Sequence, residues 1–165
     1  MTDQLTEHST SVMKKLLIIA IALCVQAVAA QEADIKKSIG VFFEGLHTAD
    51  TLKMQSVCSK SMVLHSVSDT PKGIKFVDQP TSEFYKSIAS IPKDVKVEER
   101  LLGYNIQIDG PMAHVWTPYE FYINGKFSHA GVNSFQMFKD KELWKIVYVI
   151  DTRRTDPRPQ KGEKK

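Results

Sequence analysis

Trp116, Tyr119, His129, Asn133 and Phe135 stand close together in the C-terminal third of this chain, and their types fit a small-molecule pocket. An imidazole donates, accepts or transfers a proton near neutral pH. A carboxamide in line with Phe135 must find a partner if it is buried, and a bound ligand or a water would serve. Trp and Tyr each join a large apolar body to a polar edge. Most apolar side chains here are ordinary core, so Trp116, Tyr119, His129, Asn133 and Phe135 are the candidate ligand-binding set.

His129 is also the first candidate acid–base. A structural histidine satisfied by a neighbouring carbonyl is the competing reading, but Gly131 beside it leaves room for something to approach. His65 is the second candidate. It shares a strand face with Val63 and Val67, so two inward histidines are possible, although a core histidine is the commoner case. His47 and His114 read as peripheral. No H-x-H or H-x-x-x-H spacing occurs, so no metal site is expected, and no cofactor. Asp151 follows a strand in which alternation groups Trp144, Ile146, Tyr148 and Ile150. That places Asp151 on the opposite face with Val147, Val149 and Arg153, as half of an ion pair with Arg153 or Arg154 or at a subunit interface.

These residues need strands to position them. His114 to Arg154 reads as three antiparallel strands, turned by Asn124-Gly125, which suits a type I′ hairpin, and by Asp140-Lys141-Glu142. Before them, Val95 to Asp109 reads as a long strand bent at Gly103, and Asp109-Gly110-Pro111 turns it. Pro118 interrupts an otherwise clear strand and implies an edge or a bulge. Further upstream, Ile35, Ile39, Phe42, Phe43 and Leu46 form a helical stripe. A short helix follows from Leu52 to about Cys58, with Asp50 or Thr51 as its N-cap. Ser61–Ser68 and Ile74–Val77 read as strands, and a third helix begins at Pro80 and ends before Pro92. Helices first and strands later indicate an α+β domain with its helices on one face of a mostly antiparallel sheet.

The ends of the chain differ from its body. Lys14-Lys15 precede the apolar run LLIIAIALCVQAVAA, which closes on small residues. This is the pattern of a secretory signal peptide cleaved after Ala29 or Ala30, with Met13 as a plausible initiator. An uncleaved anchor is the competing reading, and Leu23 before Cys24 argues against a lipoprotein. Residues 1–30 are thus an N-terminal extension and leader, 31–154 the domain, and 155–165 a basic disordered tail. From Arg153 onward six basic residues stand against two acidic ones, so the body is near neutral despite the formal net charge of +3. No basic–aromatic platform for nucleic acid appears. One cysteine, Cys58, remains after the leader, which excludes a disulfide scaffold and suggests a buried small hydrophobe near a helix end.

The motif Trp116-x-Pro118-Tyr119-x-Phe121-Tyr122-x-x-Gly125-x-Phe127-Ser128-His129-x-Gly131, with Trp144-Lys145-Ile146 and Thr152-Arg153-Arg154 after it, resembles a bacterial family labelled, by inference, lumazine-binding proteins. More broadly, residues 33–154 resemble the nuclear transport factor 2-like superfamily. That resemblance implies three N-terminal helices on a strongly curved sheet enclosing a cone-shaped cavity. The superfamily holds isomerases, cyclases, dehydratases and non-enzymatic binding modules, so fold alone does not choose among them. The expectation is a periplasmic or secreted small-molecule-binding domain with no stable membrane association after cleavage. The alternatives are a cyclase, isomerase or dehydratase using His129 or His65 with Tyr119 as donor, or a homodimeric interaction module pairing through the sheet at Val147 and Val149.

Overall fold

The computed structural model describes residues 2–155, the side chains of residues 2–12, Cys24 and Ala27 excepted. The chain divides into two compact units, Met1–Lys36 and Lys37–Lys165. The expected basic tail lies, from position 156 on, outside the described residues.

The first unit is helical, as its many Ala and Leu residues, both strong helix formers, favour. The helix α1 (Thr2–His47) starts there and runs unbroken through the expected cleavage region. From Met13 it is long and apolar enough to cross a membrane by length and composition, and none of its most apolar window is buried. Such a segment is compatible with a signal sequence.

In the second unit the end of α1 buries Ile39, Phe42, Phe43 and Leu46, the anticipated stripe. Gly45 permits the next helix to approach, since a Cβ there would collide with Met54. That helix, α2 (Thr51–Ser56), is capped by Asp50, whose Oδ1 accepts from the Lys53 N–H at 2.9 Å. Cys58 is buried as expected, but it opens a strand rather than closing a helix. Burial raises its thiol pKa to about 11, which keeps it inert.

The sheet comprises β1 (Cys58–Thr70), β2 (Gly73–Gln79), β3 (Val97–Leu101), β4 (Asn105–Asp109), β5 (Met112–Ile123), β6 (Lys126–Asp140) and β7 (Leu143–Arg153), with α3 (Thr81–Ala89) after β2. Its order is β2-β1-β7-β6-β5-β3, with β4 also on β5. All pairs are antiparallel except β1 with β7, so the architecture is α+β with a curved, mostly antiparallel sheet. Asn124 (φ 50°) and Gly125 (φ 74°) form the β5–β6 turn, whose positive φ values their sequence signalled.

Pro118 acts differently from expectation. The β5–β6 ladder runs straight through it, with Pro118 opposite Val132. The break falls on its other flank, where Leu102-Gly103-Tyr104 separate β3 from β4. Pro118 O accepts from the Leu102 N–H at 2.8 Å. The donor that proline lacks would face the same way, so the ladder cannot continue there. Because β5 itself is regular, simple alternation holds: Val115, Thr117 and Tyr119 are buried, and Trp116 faces outward, 47% exposed.

Bulges decide the faces elsewhere. Gln136 pairs with Tyr148 but Met137 with Ile146, so Val147 is an extra residue in β7. An inserted residue exchanges inward and outward positions. Trp144 and Ile146 are therefore buried before the bulge, and Val149 and Asp151 after it. This corrects the outward placement of Val149 and Asp151. On β1 the buried positions after Cys58 are Met62, Leu64 and Ser66, so His65, Val63 and Val67 face outward rather than inward.

Gly131 also has a different use. A Cβ at this position would overlap the carbonyl of Thr152 and press on the Tyr119 ring. The room beside His129 is filled by β7 and Tyr119. Gly131→Ala should therefore lower unfolding free energy by about 1–3 kcal/mol in urea denaturation; an unchanged midpoint would show that the strands do not approach this closely.

Candidate functional site

Within the second unit, the end of α1, α3 and the inner sheet face enclose a cavity of about 220 Å³. Phe42, Phe43 and Leu46 come from α1, and Phe84, Ser87 and Ile88 from α3. Phe135 of β6 meets Phe42 and Phe43 edge-to-face, at centroid distances of 6.2 and 6.1 Å. Phe84 stacks on Phe42 at 6.4 Å. Such packing fixes the rings and leaves a rigid apolar wall.

The polar end comes from the sheet. Asn133 donates through Nδ2 to Glu99 Oε1 at 2.6 Å. Tyr119 donates its hydroxyl to the Thr152 carbonyl at 2.9 Å, with Asp151 Oδ2 at 3.2 Å. Arg153 Nε donates to the same Asp151 oxygen at 2.8 Å. The Arg153 side chain is 46% exposed and that of Asp151 8%, so this pair runs from the cavity to solvent. The ion pair was anticipated; its position inside the pocket was not.

Glu99 is the carboxyl of the site that its surroundings perturb. Burial pushes its carboxyl from the ordinary 4.5 to about 8; the Asn133 hydrogen bond opposes this, and the negative charge of Asp151 adds to it. At neutral pH Glu99 is mostly a neutral acid able to donate a hydrogen bond. Its backbone is also held. β3 is an edge strand, and its Glu99 N–H donates to His47 Nε2 at 2.9 Å. Burial lowers the His47 pKa, favouring the neutral ring that this acceptor role requires. His47, read from sequence as peripheral, thus braces the strand that carries Glu99.

His129 stacks on Phe121 at 4.9 Å and lies edge-on to Tyr119 at 5.8 Å. Burial, then the charge of Arg153, lowers its pKa, so it is neutral at pH 7. Its hydrogen bond runs between Nδ1 and Ser128 Oγ at 3.1 Å. No carboxylate pairs with it among the described residues.

Of the sequence candidates, Tyr119, His129, Asn133 and Phe135 gather around the cavity. Trp116 stands on the outer sheet face. So does His65, whose Nδ1 is 3.0 Å from the Tyr148 hydroxyl and whose Nε2 is 3.4 Å from Asp78. Sequence reasoning missed Glu99, which sits in the charged run Glu98-Glu99-Arg100, where nothing distinguishes the inward residue until β3 is set against β5. No group of three or more potential metal ligands occurs among the described residues.

Comparison with solved structures settles the architecture. An NTF2-like protein of unknown function from Shewanella baltica is similar at TM-score 0.56 and 15% identity, covering 78% of this chain and 97% of that one. An NTF2-like superfamily protein from Salmonella enterica is similar at TM-score 0.59 and 16% identity, covering 82% and 99%. This chain has the nuclear transport factor 2-like fold. A candidate scytalone dehydratase from Novosphingobium aromaticivorans shares it at TM-score 0.61 and 9% identity, over 79% and 88% of the two chains. No protein-family model and no curated protein matches the chain.

The nuclear transport factor 2-like cavity here contains a carboxyl that folding prefers protonated. A raised carboxyl pKa stabilises the fold fully below the unfolded value near 4.5, and that contribution is lost as pH rises toward about 8. Relative to Glu99→Gln, the native chain should lose about 4 kcal/mol of stability across this window. Parallel pH dependences of the two proteins, measured by urea denaturation, would show that Glu99 ionises freely.

Proposed function

We propose that this protein is an exported, periplasmic or secreted, small-molecule-binding domain, and that Tyr119, His129, Asn133 and Phe135 contact the ligand together with Glu99. The supporting observation is the cavity itself: aromatic walls close on one cluster of hydrogen-bonding groups, the composition of a specific ligand site. Its volume of 220 Å³ exceeds the roughly 150 Å³ cavity that holds benzene, so it suits a ring-sized molecule. The apolar N-terminal helix supports export, with no stable membrane association once it is cleaved. The narrower resemblance to lumazine-binding proteins rests on the motif around His129.

A binding role is favoured over catalysis by His129, because among the described residues this imidazole has no carboxylate partner to set its tautomer and basicity. An enzymatic reading, of the cyclase, isomerase or dehydratase kind, draws instead on Glu99. A carboxyl with a pKa of about 8 is poised for proton transfer at neutral pH. Self-association is a second property we propose. The outer sheet face exposes Val63, Phe76 and Trp116, with Tyr148 and Ile150 half-buried beside them, as a surface for a second copy.

Native mass spectrometry of the exported protein tests these points together. The expected species is a dimer lacking the first 29 or 30 residues, with a retained small molecule, and Trp116→Glu should convert it to monomer. His129→Ala should weaken ligand binding by about tenfold, the loss of one hydrogen bond, without moving the melting transition. Unchanged affinity, or collapse of the fold, would remove His129 from the site.

A further inference from the structure

The charges at the polar end of the cavity do not balance. Two carboxyl groups, Glu99 and Asp151, share it with one guanidinium, Arg153. Asp151 is matched, by Arg153 Nε at 2.8 Å and by the Tyr119 hydroxyl. Glu99 is not: its partner is the neutral amide of Asn133, and it joins no ion pair among the described residues. The groups facing it are Tyr119 from β5, Asn133 and His129 from β6, and Asp151 and Arg153 from β7. His47, at the end of α1, meets only its backbone N–H. The parts of α1 and α3 that line the cavity bring Phe42, Phe43, Leu46, Phe84, Ser87 and Ile88, and so no charge at all. With Glu99 ionised, the cavity is one positive charge short.

Resting on the small-molecule-binding reading, we propose that the cavity takes a small organic cation, a protonated amine on a ring-sized apolar body, with its ammonium against the Glu99 carboxylate and its body among the phenylalanine rings. The rings suit this arrangement, because the negative face of an aromatic ring attracts an ammonium group. An anion would find Arg153 already engaged and Asp151 opposing it. A neutral ligand would leave Glu99 protonated and the charge deficit filled by that proton. Burial, with the charge of Asp151 added, raises the Glu99 pKa, so the site binds a proton up to about pH 8. Binding of the amine then exchanges one cation for another. The ammonium enters intact, the Glu99 carboxyl gives up its proton to solvent, and no bond within the ligand changes.

The exchange predicts the sign of the pH dependence. Affinity for the amine should rise about tenfold per pH unit up to about pH 8 and level off above it, as Glu99 becomes ionised without help.

Titration calorimetry of the full chain with benzylammonium, benzyl alcohol and benzoate, each in phosphate and in MES, tests the proposal. The expected order of affinity is benzylammonium, then benzyl alcohol, then benzoate. The difference in heat between the two buffers should correspond to about one proton released per benzylammonium at about pH 6. Glu99→Gln should bring benzylammonium down to the affinity of benzyl alcohol and abolish the proton release. If benzyl alcohol or benzoate binds the native chain as tightly as benzylammonium, or Glu99→Gln keeps the preference for the cation, the charge assignment is wrong while the pocket stands. If none of the three probes binds, the small-molecule-binding reading fails, and this proposal with it.

Discussion

Tyr119 reaches from β5 across β6 to β7, and the polar end of the cavity depends on that crossing. The contact requires a glycine beneath the ring, since any side chain at position 131 would strike both the Tyr119 ring and the Thr152 carbonyl. Around this point the β6–β7 ladder changes character. Asn133 and Asp151 are paired in register, but the Val132 N–H donates to the Thr152 hydroxyl, and Ala130 and Arg154 resume as an isolated bridge. The Thr152 carbonyl accepts from Tyr119 instead. Each such hydrogen bond contributes only about 1 kcal/mol, yet together they fix where the β7 carboxylate stands.

That placement sets the electrostatics. Asp151 holds Arg153, and because the guanidinium is half in water their pairing adds little to stability. Its consequence is positional: Arg153 is committed to Asp151, and Glu99 is left with an amide. Burying a carboxyl without a cation is costly, and the fold answers by keeping it protonated. His47 and Asn133 hold Glu99 at its backbone and at its carboxyl.

Features governed by local chemistry were legible in the sequence. The Asn124-Gly125 turn, the Asp50 cap, the stripe through Phe42 and Phe43 and the Asp151–Arg153 pair each depend on neighbours in the chain. Residue faces were legible only where a strand is regular. Alternation placed His65 with Val63 and Val67 correctly but could not say which side was inward, because that depends on β1 pairing with the distant β7. Trp116 entered the candidate set by its side-chain type, and the edge or bulge expected at Pro118 left its face open. Proline disturbs only the flank to which its missing N–H would have pointed, and that flank was β3 and β4.

At 9–19% identity to its structural neighbours, the likeness is one of fold and does not say what the cavity binds. In this chain the chemistry is decided by Val147, the one extra residue in β7. Continued alternation from Trp144 and Ile146 would turn Tyr148 and Ile150 inward and send Asp151 and Val149 to the surface. Tyr119 would then lose its carboxylate partner, Arg153 would have no reason to lean over the mouth, and Glu99 would face an apolar wall. The same amino acids would make a filled core. The bulge converts them into a charged pocket, so strand register is as much a determinant of function here as any single side chain.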